Sequence, residues 1–194
     1  RLLFLENVKG LLSHNRGETF RTIITALDEL GYDLQWQVLN SRDFGVPQNR
    51  ERIFIIGHLG GTHRPQVFPF GQDDEMGTGP DKNEKKVYAG TLTARQYASW
   101  NGNYLMYDGG SIWNRVYDPK GNSVTIRSQG GGGGAKTGLY MTGSNSVRRL
   151  TPVECERLQG FPDNWTAGVS ETQRYKQMGN AVTVNVIYEI ARLL

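Results

Sequence analysis

Hydrophobic and polar positions follow distinct patterns in different parts of the chain. Leu2 to Leu5 form a short apolar run that stops at Glu6-Asn7, the pattern of a buried strand over residues 1–8. Phe20, Ile23, Ile24, Leu27 and Leu30 recur at helical spacing and predict an amphipathic helix over 17–30, with Gly31 as its stop. Leu34, Trp36 and Val38 alternate with polar neighbours, which predicts a strand over 32–40. A loop, SRDFGVPQNRER, follows. Ile53 to Gly57 is then wholly apolar again, and its closeness to the preceding strand predicts an antiparallel pair at a sheet edge.

From about His58 to Asn145 the periodicity weakens, charges scatter, and Gly, Asn, Asp, Ser and Thr dominate. Residues 72–86 are polar and charged and read as a linker. Short strands are expected at 88–93, 104–107, 116–117, 123–127 and 139–142. Turn signals separate them at Asp108-Gly109-Gly110, at Asp118-Pro119-Lys120-Gly121 and in the glycine run 130–134. That run is either a flexible linker or a loop where backbone must approach something closely. The whole stretch predicts a small, irregular, mostly β module.

Periodicity returns at Arg148 to Trp165, RRLTPVECERLQGFPDNW. Thr151 and Glu154 have the spacing of a capping box, and Pro152 falls at the first helical position. A short helix over 153–158 is expected, ended by Gly160 and turned away at Phe161-Pro162. On these residues alone the segment could be a well-capped surface helix with an aromatic anchor. One further helix is expected over 182–194, with Val186, Ile190 and Leu193 on one face. Gly179-Asn180 would then sit just ahead of it, among the free N–H groups of a helix start.

Composition narrows the partners. The chain has 194 residues, 37% of them hydrophobic, and carries 25 glycines, nearly all the excess falling in the irregular middle. Its formal net charge of +3 permits a polyanionic partner without demanding one. No apolar run approaches the roughly 20 residues of a membrane span, and Glu6 ends the first apolar run too soon for a secretory signal. A single cysteine, Cys155, excludes an internal disulfide and a cysteine metal cluster, so no metal site is expected and an intracellular, cytoplasmic protein fits best. Cys155 stands between Glu154 and Glu156, and adjacent carboxylates disfavour a thiolate nucleophile. It is expected to be a packing residue.

The chemistry-bearing positions are few. Glu6 stands at the carboxyl end of a predicted strand, where open α/β sheets place ligands, and a partly buried carboxyl there could hold or deliver a proton. It could equally cap the following turn. In Gln48-Asn49-Arg50-Glu51-Arg52, alternation places Arg50 and Arg52 on one face with Gln48 in line. Solvated arginines on an edge strand would give the same spacing.

Four separated blocks, in order, resemble the DNA (cytosine-5)-methyltransferase family: Glu6-Asn7-Val8, Gln48 to Arg52, RRLTPxExxRLQGFPxxW, and Gly179-Asn180-Ala181-Val182. The resemblance implies an α/β fold: the second half of a Rossmann-like methyltransferase sheet plus a small irregular β-rich target recognition domain. It divides the chain into a catalytic part (1–60), the recognition domain (61–147) and a returning segment with the terminal helix (148–194). It implies that Glu6 hydrogen-bonds N3 and the amino group of a flipped cytosine. Arg52 would contact the carbonyl oxygen of that base, and Arg50 would support the site and the phosphate backbone. Residues 179–182 would line an S-adenosyl-L-methionine pocket, although Ala181 replaces a frequent serine. Thr91-Leu92 and Thr125-Ile126 both resemble the Thr-hydrophobic pair near the flipped nucleotide, and the first is preferred. Gln48, Arg95, Arg127 and Gln129 are candidate contacts to double-stranded DNA, since arginine pairs bidentately with guanine and glutamine with adenine.

The family's Pro-Cys-Gln nucleophile motif and glycine-rich cofactor loop are missing from this sequence. The resemblance therefore implies a fragment or split-enzyme half, inactive until joined by an upstream portion in the same chain or a separate subunit. The expected setting is the cytoplasm of a prokaryote or phage host, within a restriction-modification system. Two alternatives stay open: a non-catalytic, sequence-specific DNA-binding chain, and a tRNA cytosine methyltransferase of the same family.

Overall fold

The computed structural model describes residues 1–60, 66–68, 70, 104–106, 116–127, 137–141 and 146–194. The chain divides into two compact units. One holds Arg1–Asn40, Glu51–Asp81 and Val186–Leu194; the other holds Ser41–Arg50 and Lys82–Asn185.

In the first unit, β1 (Leu2–Val8), α1 (Glu18–Glu29), β2 (Tyr32–Asn40) and β3 (Glu51–Leu59) build a three-stranded sheet in the order β1-β3-β2. β3 runs antiparallel to both neighbours, so β1 and β2 point the same way and α1 is the crossover between them. The expected pairing of the second and third strands is present. The most apolar strand takes the middle: Ile53, Phe54, Ile55 and Ile56 are all at most 2% exposed. β1 departs from its expected burial. It is an outer strand of the described sheet, with Leu2 52% and Val8 51% exposed, because its apolar run has a hydrogen-bonded neighbour on one side only.

Register sorts the side chains into two faces. Leu5, Ile55 and Trp36 share one, and Glu6, Phe54 and Gln37 the other. On the first, the ring of Phe20 in α1 meets Trp36 edge-on with centroids 5.6 Å apart. Gly17 and Gly31 bracket α1 with left-handed backbone, φ +89° and +85°. On the second face, Gln35 Oε1 accepts from the amides of Val67 and Phe68 at 2.9 and 3.2 Å. Gln37 binds both the N–H and the carbonyl of Phe70, at 2.7 and 3.3 Å. The two amides thus act as a surrogate strand for this segment.

The second unit contains β4 (Tyr104–Met106), β5 (Val116–Tyr117), β6 (Leu139–Met141) and β7 (Val147–Arg149) in that order, with β5 and β6 parallel and the other pairs antiparallel. The strands expected near 104, 116 and 139 are present. The one expected at 88–93, the glycine run and the linker at 72–86 lie outside the described residues. Residues 123–127 do not form a ladder strand. Ser123 makes a parallel bridge to Gln48. β7 was not expected, since Val147-Arg148-Arg149 carries no alternating pattern.

α2 (Pro152–Leu158) follows, and its capping box forms as the spacing predicts, with Thr151 and Glu154 each bonding the other's main chain. Its end is a Schellman turn: Gly160 N bonds Arg157 O, Phe161 N bonds Glu156 O, and Gly160 is left-handed at φ +78°. Ile126, Cys155 and Met178 form the core against which Leu150, Leu158, Phe161, Tyr175 and Ala181 pack.

The C-terminal region corrects the single expected helix. Two helices form, α3 (Glu171–Asn180) and α4 (Val184–Ala191). The second answers to the helix expected over 182–194; Gly179 and Asn180 are the last residues of α3, separated from the start of α4 by the loop 181–183. α3 went unseen because its sequence, ETQRYKQMGN, is polar nearly throughout and shows one buried side chain, Met178.

The Gly160 turn yields a sharp test. A Cβ there would lie 2.4 Å from Asn185 Oδ1 and 3.3 Å from Val184 Cβ, whereas one at Gly168, also left-handed, would meet nothing within 4 Å. Gly160→Ala is expected to lose roughly 2–4 kcal/mol from backbone strain and overpacking together, and Gly168→Ala only about 1–2 kcal/mol. Denaturant unfolding of both variants checks this; equal losses would contradict the packing of Asn185 on the turn.

Candidate functional site

Glu6 and Arg52 meet in the first unit. Val8 is opposite Arg52 and Glu6 opposite Phe54, so the two charged residues are diagonal neighbours on one face. Arg52 Nε lies 3.0 Å from Glu6 Oε1, and the side chains are only 15% and 22% exposed. Partial desolvation strengthens such a pair relative to one in open water. Burial pulls the Arg52 guanidinium below its ordinary value while Glu6 opposes the shift, and the group stays cationic. Arg52 Nη1 also donates to Glu51 O at 2.8 Å. The Glu6 carboxyl thus stands beside a fixed donor.

Arg50, expected on the same face as Arg52, has different partners. It precedes β3 and is 2% exposed. In the second unit its Nη1 donates to Ile126 O at 3.1 Å, and its Nη2 to Gly179 O and Ala181 O at 3.1 and 2.8 Å. The guanidinium is bonded to protein main chain, not displayed to solvent. Gln48 is likewise wholly buried, with Nε2 donating to Leu158 O at 3.0 Å. Main-chain bonds tie the same loop to the 123–127 segment: Asn49 N to Ser123 O, and Ser123 N to Pro47 O. Thr125 Oγ1 donates to Asn49 O at 2.6 Å. Thr125-Ile126 is therefore anchored and, at Ile126, buried. Arg127, one residue on, is exposed. Thr91, Leu92, Arg95 and Gln129 lie outside the described residues.

At the end of α3, Gly179 is buried, Asn180 is exposed, and Ala181 and Val182 are half-buried. The loop 181–183 leads to Thr183, 1% exposed, whose hydroxyl donates to Gln159 Oε1 at 2.8 Å and meets Ser41 Oγ at 2.7 Å. Gln159 Nε2 donates to Met178 O at 2.8 Å. The loop thus presents an exposed amide at Asn180 beside the half-buried Ala181 and Val182, and is held from behind at Thr183.

Several anchoring residues were not legible beforehand. Glu156 is completely buried. It accepts from Asn164 N, Thr166 N, the Thr166 hydroxyl and Arg174 Nη2. Burial pushes its carboxyl up, but these bonds outweigh burial and hold it below the ordinary range. Gln159 stands within the RLQGF part of the recognised motif, but its partners, and the places of Glu156, Thr183 and Ser41, are given only by the fold. Cys155 is 0% exposed, and burial, then Glu154 and Glu156, push its thiol up to about 12. That is the packing role its neighbours suggested.

Solved structures share this fold. S. pombe Dnmt2 methyltransferase superposes with TM-score 0.65 at 18% identity, covering 100% of this chain and 64% of that one. Entamoeba histolytica methyltransferase EhMeth does so with TM-score 0.60 at 17% identity, covering 99% and 61%. The crossover sheet is thus part of a Rossmann-like methyltransferase fold. Among curated proteins, Type II methyltransferase M.HhaI of Haemophilus parahaemolyticus is 33% identical over 204 residues, and M.Bsp6I of Bacillus sp. (strain RFL6) 36% identical over 202. Each alignment takes in 98% of this chain, which spans 62% and 64% of those two proteins. The profile of the C-5 cytosine-specific DNA methylases matches residues 1–194, and the chain belongs to that family.

Two measurements probe the site's surroundings. At pH 8 the Cys155 thiol should resist a soluble disulfide reagent in the folded chain and react at once in denaturant; rapid labelling of the folded form would contradict its burial. Glu154 is held down to about 2, first by its bonds from Arg148 and then by Thr151, against burial, from an ordinary value of 4.5. A depressed carboxyl stabilises the fold above its unfolded value and loses that contribution as pH falls through the folded one. Glu154→Gln should therefore melt below wild type at pH 7, with the gap closing between about pH 4.5 and 2; a constant gap would rule the ion pair out as the cause.

Proposed function

We propose that this chain supplies the base-holding and cofactor-lining parts of a DNA cytosine-5 methyltransferase acting on a cytosine flipped out of double-stranded DNA. The observation that carries this reading is the partly buried pair of Glu6 and Arg52, 3.0 Å apart on adjacent strands. The Watson–Crick edge of cytosine presents an amino donor, the N3 acceptor and the O2 acceptor. A Glu6 carboxyl complements the first two, and the Arg52 guanidinium complements the third.

Once the base is extruded, Glu6 delivers a proton to N3. This draws electrons from the ring and makes C6 susceptible to a thiolate. General acid–base assistance of this kind contributes roughly 10²–10⁴-fold. Arg52 fixes the ring in its plane through O2. S-adenosylmethionine, when bound, supplies the methyl group, and Asn180 and Val182 line one wall of its pocket. The thiolate is assigned to an upstream portion, in the same chain or a second subunit, because Cys155 is buried and protonated. Residues 61–147 are assigned to sequence recognition, with Thr91-Leu92, Arg95, Arg127 and Gln129 as contacts. Loss of the C5 proton then releases the product. The bacterial Type II relatives favour a role in restriction-modification.

The test mixes the chain with a polypeptide carrying the upstream motifs and follows methyl transfer to duplex DNA. Glu6→Gln should lower the single-turnover rate by roughly 10²–10⁴-fold with duplex affinity little changed, and Arg52→Ala should also act on the rate. Equal losses of rate and affinity would remove Glu6 as the proton partner. Duplex binding without transfer in the wild-type mixture would favour a non-catalytic DNA-binding chain, and transfer to tRNA alone would redirect the substrate.

A further inference from the structure

Arg50 bonds three main-chain carbonyls on two segments of the second unit: Ile126 on one, and Gly179 and Ala181 on the other. Two of these acceptors lie at the C-terminal end of α3, where carbonyls lack partners within the helix and carry the negative end of its dipole. No left-handed glycine ends this helix; its cap, Ala181, is extended at φ −63°, ψ 153°. The Arg50 guanidinium takes the place of that usual stop. It both satisfies the loose carbonyls and determines the direction in which the chain leaves.

The far end of the same loop is held by the Thr183 hydroxyl between Gln159 and Ser41, and by Val184 N on Gln159 O at 2.9 Å. Ser41 in turn directs its N–H at the main-chain carbonyl of Arg50, 3.0 Å away. A ring of bonds therefore closes: from the Arg50 side chain to 179 and 181, along the loop to Thr183, across to Ser41, and back to the Arg50 main chain. Every side chain in it is at most 3% exposed. Bonds among buried groups are costly to leave unmade, so the ring has one favoured arrangement. Asn180 and Val182 are the residues it leaves facing outward or half-outward.

We propose that Arg50 is a positioning residue for the loop 179–183 and not a contact to the DNA backbone: it sets the loop in the shape that receives S-adenosylmethionine. This rests on the reading of that loop as a cofactor wall. Lysine cannot reproduce the arrangement, since a single ammonium on a flexible stem does not span three fixed carbonyls.

The test uses Arg50→Lys and Ser41→Ala in the complete chain, alone and mixed with the upstream portion. In the chain alone, amide hydrogen exchange at 181–184 should speed up about tenfold in Arg50→Lys, with β3 amides unchanged. In the mixture, S-adenosylmethionine KM should rise about tenfold at nearly constant kcat, with the salt dependence of DNA binding unaltered. Unchanged exchange at 181–184 would overturn the proposal. So would weaker DNA binding with a shallower salt slope and unchanged cofactor KM, which would assign Arg50 to a phosphate. Should Arg50→Lys fail to fold, Ser41→Ala decides: it opens the ring by one hydroxyl and should shift exchange in the same direction by roughly threefold, and no shift would count against the ring. If the wild-type mixture never binds S-adenosylmethionine, the functional reading fails, while the exchange result still decides whether Arg50 positions the loop.

Discussion

The register between β1 and β3 is the constraint on which the candidate base site depends. With Val8 opposite Arg52, the carboxylate and guanidinium fall on one face within hydrogen-bonding distance. A slip of one residue would send them to opposite faces. What resists the slip is β3 itself. Its Ile53 and Ile55 face α1's side of the sheet and its Phe54 and Ile56 the other, and all four are buried, so any shift would exchange filled positions on both sides. The two charges are held by the packing around them more than by their own attraction.

The second unit relies on another kind of order. Among the described residues its hydrophobic cluster centres on Ile126, Cys155 and Met178, and buried polar groups with several bonds each add to its definition. Glu156 shapes the turn through 164–166, Gln159 holds the end of α3 and the start of α4, and Arg50 joins three carbonyls. Such groups stabilise little on balance, because desolvation offsets much of what the bonds contribute. They do penalise alternatives, since any rearrangement leaves a buried donor or acceptor unmatched. The loop 181–183 gains a defined shape this way.

The short helix α2 connects these roles. Its capping box and Schellman turn make it a self-contained unit, and its inward side supplies Cys155 to the core and Glu156 to the following turn. Family membership and local physics agree here: the residues that make the segment recognisable are largely those that terminate, cap or brace it.

What could be read from the sequence was whatever depends on near neighbours. The apolar run of β3, the spacing of α1, the box at Thr151 and Glu154, and the glycines that end helices all express forces acting within a turn or two of chain. The four blocks shared with the methyltransferases were likewise local. Tertiary structure alone decided the rest. It placed β3 between β1 and β2, left β1 half-exposed, and built α3 from a polar stretch with almost no periodic signal. It also gave Arg50 and Arg52, two residues apart, unrelated partners. The reason is that a buried polar side chain is defined by acceptors far away in sequence: Arg50 is bonded to residues 76, 129 and 131 positions distant. No pattern in the neighbouring residues records where those carbonyls will be.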